Sequence, residues 1–161
     1  MKKIVYPLFV FILLVIIYGC AGYEPIFGSK NLQFKIADFS IEGNKILGNK
    51  IYSKLHVLSQ STKDDKNVRK IDLLILVSKD KNATVKDSAG KILEYKIILS
   101  TEVYIKDFKT GDEILNETFV SSATYKVQDQ QSETVNLENK SIDNLINNIY
   151  QKLLIKLSQY I

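Results

Sequence analysis

The chain has 161 residues, 45% hydrophobic and 25% charged, the balance of a folded domain and not of a disordered polypeptide. Its formal net charge is +4, but basic and acidic residues are interspersed, so the basic stripe that nucleic acid requires is missing and no nucleic-acid partner is expected. A single cysteine rules out an intramolecular disulfide, and a single histidine, His56, leaves no multi-histidine metal centre and no partner set for a Ser-His-Asp triad.

The N-terminus opens with Lys2 and Lys3, followed by an unbroken apolar run from Ile4 to Tyr18 and then Gly19-Cys20. A membrane-spanning helix needs about 20 apolar residues. This run is shorter, and Gly-Cys-Ala-Gly follows where a stop-transfer segment would place basic residues, so it reads as a secretory signal. An aliphatic residue at −3, Gly19 at −1 and Cys20 at +1 resemble the lipobox of bacterial lipoproteins, with Tyr18 bulkier than usual at −2. That resemblance implies cleavage after residue 19 and a thioether from the Cys20 sulfur to diacylglycerol, followed by acylation of its new amine. Two or more acyl chains anchor a protein stably, whereas one does so only marginally. Loss of Met1–Gly19 leaves 142 residues, one ordinary domain, and 20 basic against 18 acidic residues.

Residues 20–31 read as a short lipidated tether, with Gly22, Pro25 and Gly28 as breakers. The remainder, 32–161, is expected to form one α+β domain. Leu32–Glu42 is a strand candidate with Ala37, Phe39 and Ile41 on one face. Lys45–Ser59 is a helix with Leu47, Ile51, Leu55 and Leu58 on one stripe, Asn44 as its N-cap and a costly Gly48 in its early turns. A polar connection, Gln60–Arg69, follows.

Ile71–Val77 is apolar on both faces after Asp72, as a central strand would be. After the turn cluster Asp87–Gly90, Ile92–Lys106 alternates strictly, with Leu93, Tyr95, Ile97, Leu99, Thr101, Val103 and Ile105 on one face. A second turn, Lys109–Asp112, leads into Ile114–Val127, where Leu115, Phe119, Ala123 and Tyr125 share a face. A polar stretch, Gln128–Asn136, precedes the helix Leu137–Tyr160, whose stripe is Ile142, Leu145, Ile146, Ile149, Leu153 and Leu157. The predicted order is β-α-β-β-β-α, with two helices packed on one face of a four-stranded sheet.

Several segments in this order resemble the LPS-assembly lipoprotein LptE family. They are Gly19–Tyr23; Asp87–Lys91 leading into Glu94–Ile97; Phe108–Leu115; Ala123–Tyr125; Ile142–Leu145; and Leu153–Leu157. The resemblance covers essentially all of the mature chain. It implies a non-enzymatic outer-membrane lipoprotein on the periplasmic side that plugs and supports the β-barrel protein which inserts lipopolysaccharide into the outer leaflet. Ala21, where an Asp would favour inner-membrane retention, agrees with that location. Ser88, Ser121 and Ser122 stand where family members commonly carry Arg, near the hairpin tip and before the aromatic that matches Tyr125. Lys86, Lys91 and Lys126 are therefore the nearest candidates for contact with lipid phosphate, each as a point charge without the bidentate fork of Arg. No catalytic residue, metal ligand or cofactor is expected. The polar outward positions, among them Glu94, Lys96, Glu102, Asn116 and Thr124, suit the polar lining of a barrel lumen. The residues leave a second reading open, a free lipoprotein that binds another periplasmic ligand or protein.

Overall fold

The computed structural model describes residues 32–61 and 68–160. The expected signal, lipobox and tether lie outside these residues, as does most of the connection before Arg69. The elements are β1 (Phe34–Gly43), α1 (Lys45–Ser61), β2 (Arg69–Lys86), β3 (Ile92–Asp107), β4 (Glu113–Lys126) and α2 (Gln131–Leu157). They form one sheet of order β1-β2-β3-β4, with β1 parallel to β2 and the other pairs antiparallel. Both helices cover the same face, so the expected α+β layer pair and its element order are observed.

The turn from β1 into α1 is built by three residues. Gly43 adopts a φ of +71°, and a Cβ there would meet the Val77 carbonyl oxygen at 2.2 Å, so no larger residue fits. The Asn44 amide donates to that same carbonyl at 2.8 Å. The Asn44 side chain accepts from the Leu47 amide at 3.2 Å, which is the expected N-cap. Leu47, Ile51 and Leu55 are buried and Leu58 packs at their margin, as the periodicity requires.

The face assigned to β1 needs correction at Ala37. The β1–β2 register shifts between Ile36 and Asp38, so Ala37 is the extra residue of a bulge and is exposed. Phe34 and Ile36 face the helices before the bulge. Phe39 and Ile41 resume that face after it, opposite Leu73 and Ile75. Phe39 stacks on Tyr52 of α1 with ring centroids 3.9 Å apart, and the His56 ring is tilted against Tyr52 with centroids 5.4 Å apart.

The core is a single cluster between sheet and helices. It takes alternate residues from β2 (Ile71, Leu73, Ile75, Val77) and β3 (Ile97, Leu99, Thr101, Val103, Ile105), together with Ile149, Leu153 and Leu157 of α2. Leu93, the first member of the β3 alternation, is instead 40% exposed because it lies beyond the helical cover. Among the described residues the opposite face of the sheet carries no helix. There Leu74, Leu76, Ile98, Tyr104 and Val120 are half-buried or exposed among polar neighbours, so the apolar character of both faces of β2 does not mean that both are covered.

The final helix starts six residues earlier than its apolar stripe suggests, at Gln131 instead of Leu137. Its first turns are polar but not idle. Thr134 is buried, and its hydroxyl accepts from the Gln128 amide at 2.8 Å, tying the helix start to the chain leaving β4. Each outer edge of the sheet takes a side-chain bond. Ser59 Oγ accepts from the Ile36 amide at 3.2 Å on β1, and the Lys152 ammonium donates to the Val120 carbonyl at 2.9 Å on β4.

Candidate functional site

The three lysines proposed from sequence come to one end of the molecule. β1 stops at Gly43, opposite Val77, and the rest of β2 runs on with β3 as its only partner among the described residues. β4 stays on β3 as far as the pair Glu94–Lys126. The β2–β3 hairpin therefore projects past β1, with Lys86 and Lys91 flanking its tip and Lys126 at the same end of β4. All three are exposed, and among the described residues none has an ion-pair partner. The tip is held in shape by Asp87, whose Oδ1 accepts from the Ala89 and Lys91 amides at 2.9 Å each, while Gly90 takes a φ of +83°. This gives a rigid basic end able to pair with anionic groups by charge alone.

Behind that end stands a polar network which sequence reasoning did not single out. Lys81 of β2 donates to Glu138 Oε2 at 2.6 Å, Tyr125 donates its hydroxyl proton to the same oxygen at 2.9 Å, and Lys79 lies 3.6 Å from Oε1. The Lys81 ammonium also sits over the Tyr95 ring at 4.4 Å and the Tyr125 ring at 5.5 Å, the two rings being 5.8 Å apart. Burial opposes ionisation of Glu138, whose side chain is 17% exposed, but the hydrogen bonds from Lys81 and Tyr125 outweigh it and hold the carboxyl below the usual range. Burial likewise opposes the charge on Lys81. Its bonds to Glu138 and Tyr125 prevail and raise its pKa, while burial raises that of Tyr125. The network joins three elements, β2, β4 and α2, at the base of the projecting hairpin. A signal for it was present: Thr134, Glu138 and Ile142 are spaced by four, so Glu138 continues the core stripe with a charged residue.

The described residues contain no group of three or more His, Cys, Asp or Glu positioned to hold a metal ion, and no helix among them is long and apolar enough to cross a membrane. His56 packs against Tyr52 and approaches Gln60 at 3.4 Å. On the open face of the sheet a shallow depression of about 180 Å³ is lined by Asp38, Ser40, Asp72, Leu74, Tyr104 and Lys106. Asp38 and Asp72 are paired across the strands there, and the Lys106 ammonium lies 5.0 Å from the centre of the Tyr104 ring.

No protein-family model and no curated protein matches the sequence. Solved structures do match the fold. The chain is similar to lipoprotein B from Nitrosomonas europaea, at 11% identity and a TM-score of 0.56, over 76% of this chain and 81% of that one. It is similar also to a minor lipoprotein from Acinetobacter baumannii, at 17% identity and a TM-score of 0.53, over 80% of this chain and 93% of that one. The domain therefore has a fold found in bacterial lipoproteins.

Proposed function

We propose that the protein is a lipoprotein, anchored through Cys20 to the periplasmic side of the outer membrane, that plugs and supports the β-barrel which places lipopolysaccharide in the outer leaflet. The observation that carries this reading is the concurrence of a lipobox at Gly19-Cys20 with a fold otherwise found in bacterial lipoproteins. Similarity of the ordered motifs to LptE narrows the lipoprotein role to lipopolysaccharide assembly.

The chemistry of the domain agrees with a supporting role. A plug must be stiff and must present a mixed, polar outer surface to a polar lumen. The open sheet face and the projecting hairpin meet the second condition, and the packed core with its capped edges meets the first. Lys86, Lys91 and Lys126 are the groups we assign to the phosphates of lipopolysaccharide. Purification of the tagged protein in mild detergent tests the partner. The expected result is a large outer-membrane barrel protein in stoichiometric amount, and depletion of the protein should lower surface lipopolysaccharide. Absence of the barrel with normal surface lipopolysaccharide would reject the proposal.

A further inference from the structure

Among the described residues the sheet has a third unpaired edge, created where β1 ends and β2 continues. From Ser78 to Lys86 β2 is bonded to β3 on one side and to nothing described on the other. The direction of its backbone groups follows from two bonds. The Val77 carbonyl points to the β1 side, where it accepts from Asn44, and the Lys70 carbonyl points to the β3 side, where it accepts from Phe108. In an antiparallel ladder the N–H and C=O of one residue point the same way and alternate along the strand. The register with β3 is unbroken from Val77 to Ala83. Lys79, Lys81 and Ala83 thus direct both backbone groups outward, along the line that β1 would have followed past Gly43.

This edge differs from the other two. On β1 an outward amide is taken by Ser59, and the bulge at Ala37 twists that edge away from a flat template. On β4 an outward carbonyl is taken by Lys152. Lysines commonly guard an edge by repulsion. Here Lys79 and Lys81 are drawn to the helix side, where both engage Glu138, and their charge is partly neutralised. The segment still carries three lysines against the single acid Asp80, and Lys86 has no described ion-pair partner.

We propose that the β2 edge from residue 78 to residue 86 accepts an extended, acidic segment of a partner protein as an added strand. The backbone of Lys79, Lys81 and Ala83 supplies the hydrogen bonds, and the surplus positive charge selects acidic side chains. This inference does not depend on the lipid anchor or on the barrel reading.

The test uses the full chain in detergent micelles with a ten-residue peptide of alternating Glu and Thr, followed by hydrogen exchange and by anisotropy of the labelled peptide. The expected result is at least tenfold slower exchange at the amides of Lys79, Lys81 and Ala83, with exchange in β1 unchanged. Ala83→Pro removes one outward N–H and leaves the β3 ladder intact, so it should weaken binding at least fivefold, whereas Ala83→Val should not. A peptide of alternating Lys and Thr should not bind. Unchanged exchange at millimolar acidic peptide would overturn the proposal, as would equal affinity for the proline variant. Amides of Lys79, Lys81 and Ala83 already protected without peptide would overturn it too, since the edge would then be occupied by the protein itself.

Discussion

Gly48 of α1 lies against Ile41 of β1 so closely that a Cβ on the glycine would stand 2.4 Å from the Ile41 Cγ2 methyl. By helix propensity alone, Gly48→Ala should stabilise the protein by about 1 kcal/mol. The contact reverses that sign, because the helix must lift from the strand or Ile41 must move, and overpacking of this kind costs about 1–3 kcal/mol. Urea denaturation should show Gly48→Ala to be less stable than wild type. A more stable variant would mean that α1 does not depend on close approach to β1.

Thr101 is fully buried at the centre of β3, and among the described residues its hydroxyl has no hydrogen-bond partner. An unpaired buried hydroxyl costs about 1–3 kcal/mol of desolvation, and valine has the same shape without it. Thr101→Val should therefore raise the urea midpoint by an amount equivalent to about 1 kcal/mol or more, with the denaturant slope unchanged.

Glu138 predicts a particular dependence on pH. Its carboxyl is held below its ordinary value of 4.5 in the folded state, so the unfolded chain binds more protons in that range. The stabilisation is complete above the unfolded value and is lost as pH falls through the lower folded value. Between about pH 5 and pH 3 wild type should lose more stability than Glu138→Gln, with the curves converging at the acid end. At neutral pH the variant should be weaker by about 1–2 kcal/mol, since Lys81 and Tyr125 keep a neutral acceptor in place of a carboxylate. Asp107, lowered by Arg69 and by the Lys109 and Thr110 amides, titrates in the same direction, so the quantity to compare is the difference between the two slopes.

Much of this architecture is legible in the sequence because its strongest elements carry long, clean periods. The alternation through Ile92–Lys106 and the stripe from Ile142 to Leu157 both appear where expected. The bulge at Ala37 is not legible, since alternation of Ala37, Phe39 and Ile41 looks the same whether or not the chain slips by one residue before them. The early turns of α2 are hidden for a different reason. They bury Thr134 and half-bury Glu138, so their inward face carries hydroxyl and carboxylate groups and an apolar stripe does not reveal it. Of the candidate site, the tip lysines could be named from their position beside a turn. Their gathering at one end, and the free edge beside them, depend on where β1 stops, which Gly43 marks only as a turn.

The lysines at that end carry a prediction of their own. Lys86, Lys91 and Lys126 are exposed, so charge reversal at each to Glu should leave the unfolding midpoint nearly unchanged. Each exposed charge contact contributes up to about 1 kcal/mol, so the triple variant should bind lipopolysaccharide about tenfold more weakly or worse. The loss should shrink as salt is raised. Equal binding by wild type and the triple variant would remove these residues from the site.

The central claim is that acyl chains on Cys20 hold this domain at a membrane, and the mass of the intact protein isolated from membranes tests it most directly. The account predicts a chain beginning at Cys20 whose mass exceeds that of residues 20–161 by a diacylglyceryl group and an amide-linked acyl chain. A chain that retains residues 1–19, or one that begins at Cys20 with no added lipid, would contradict it.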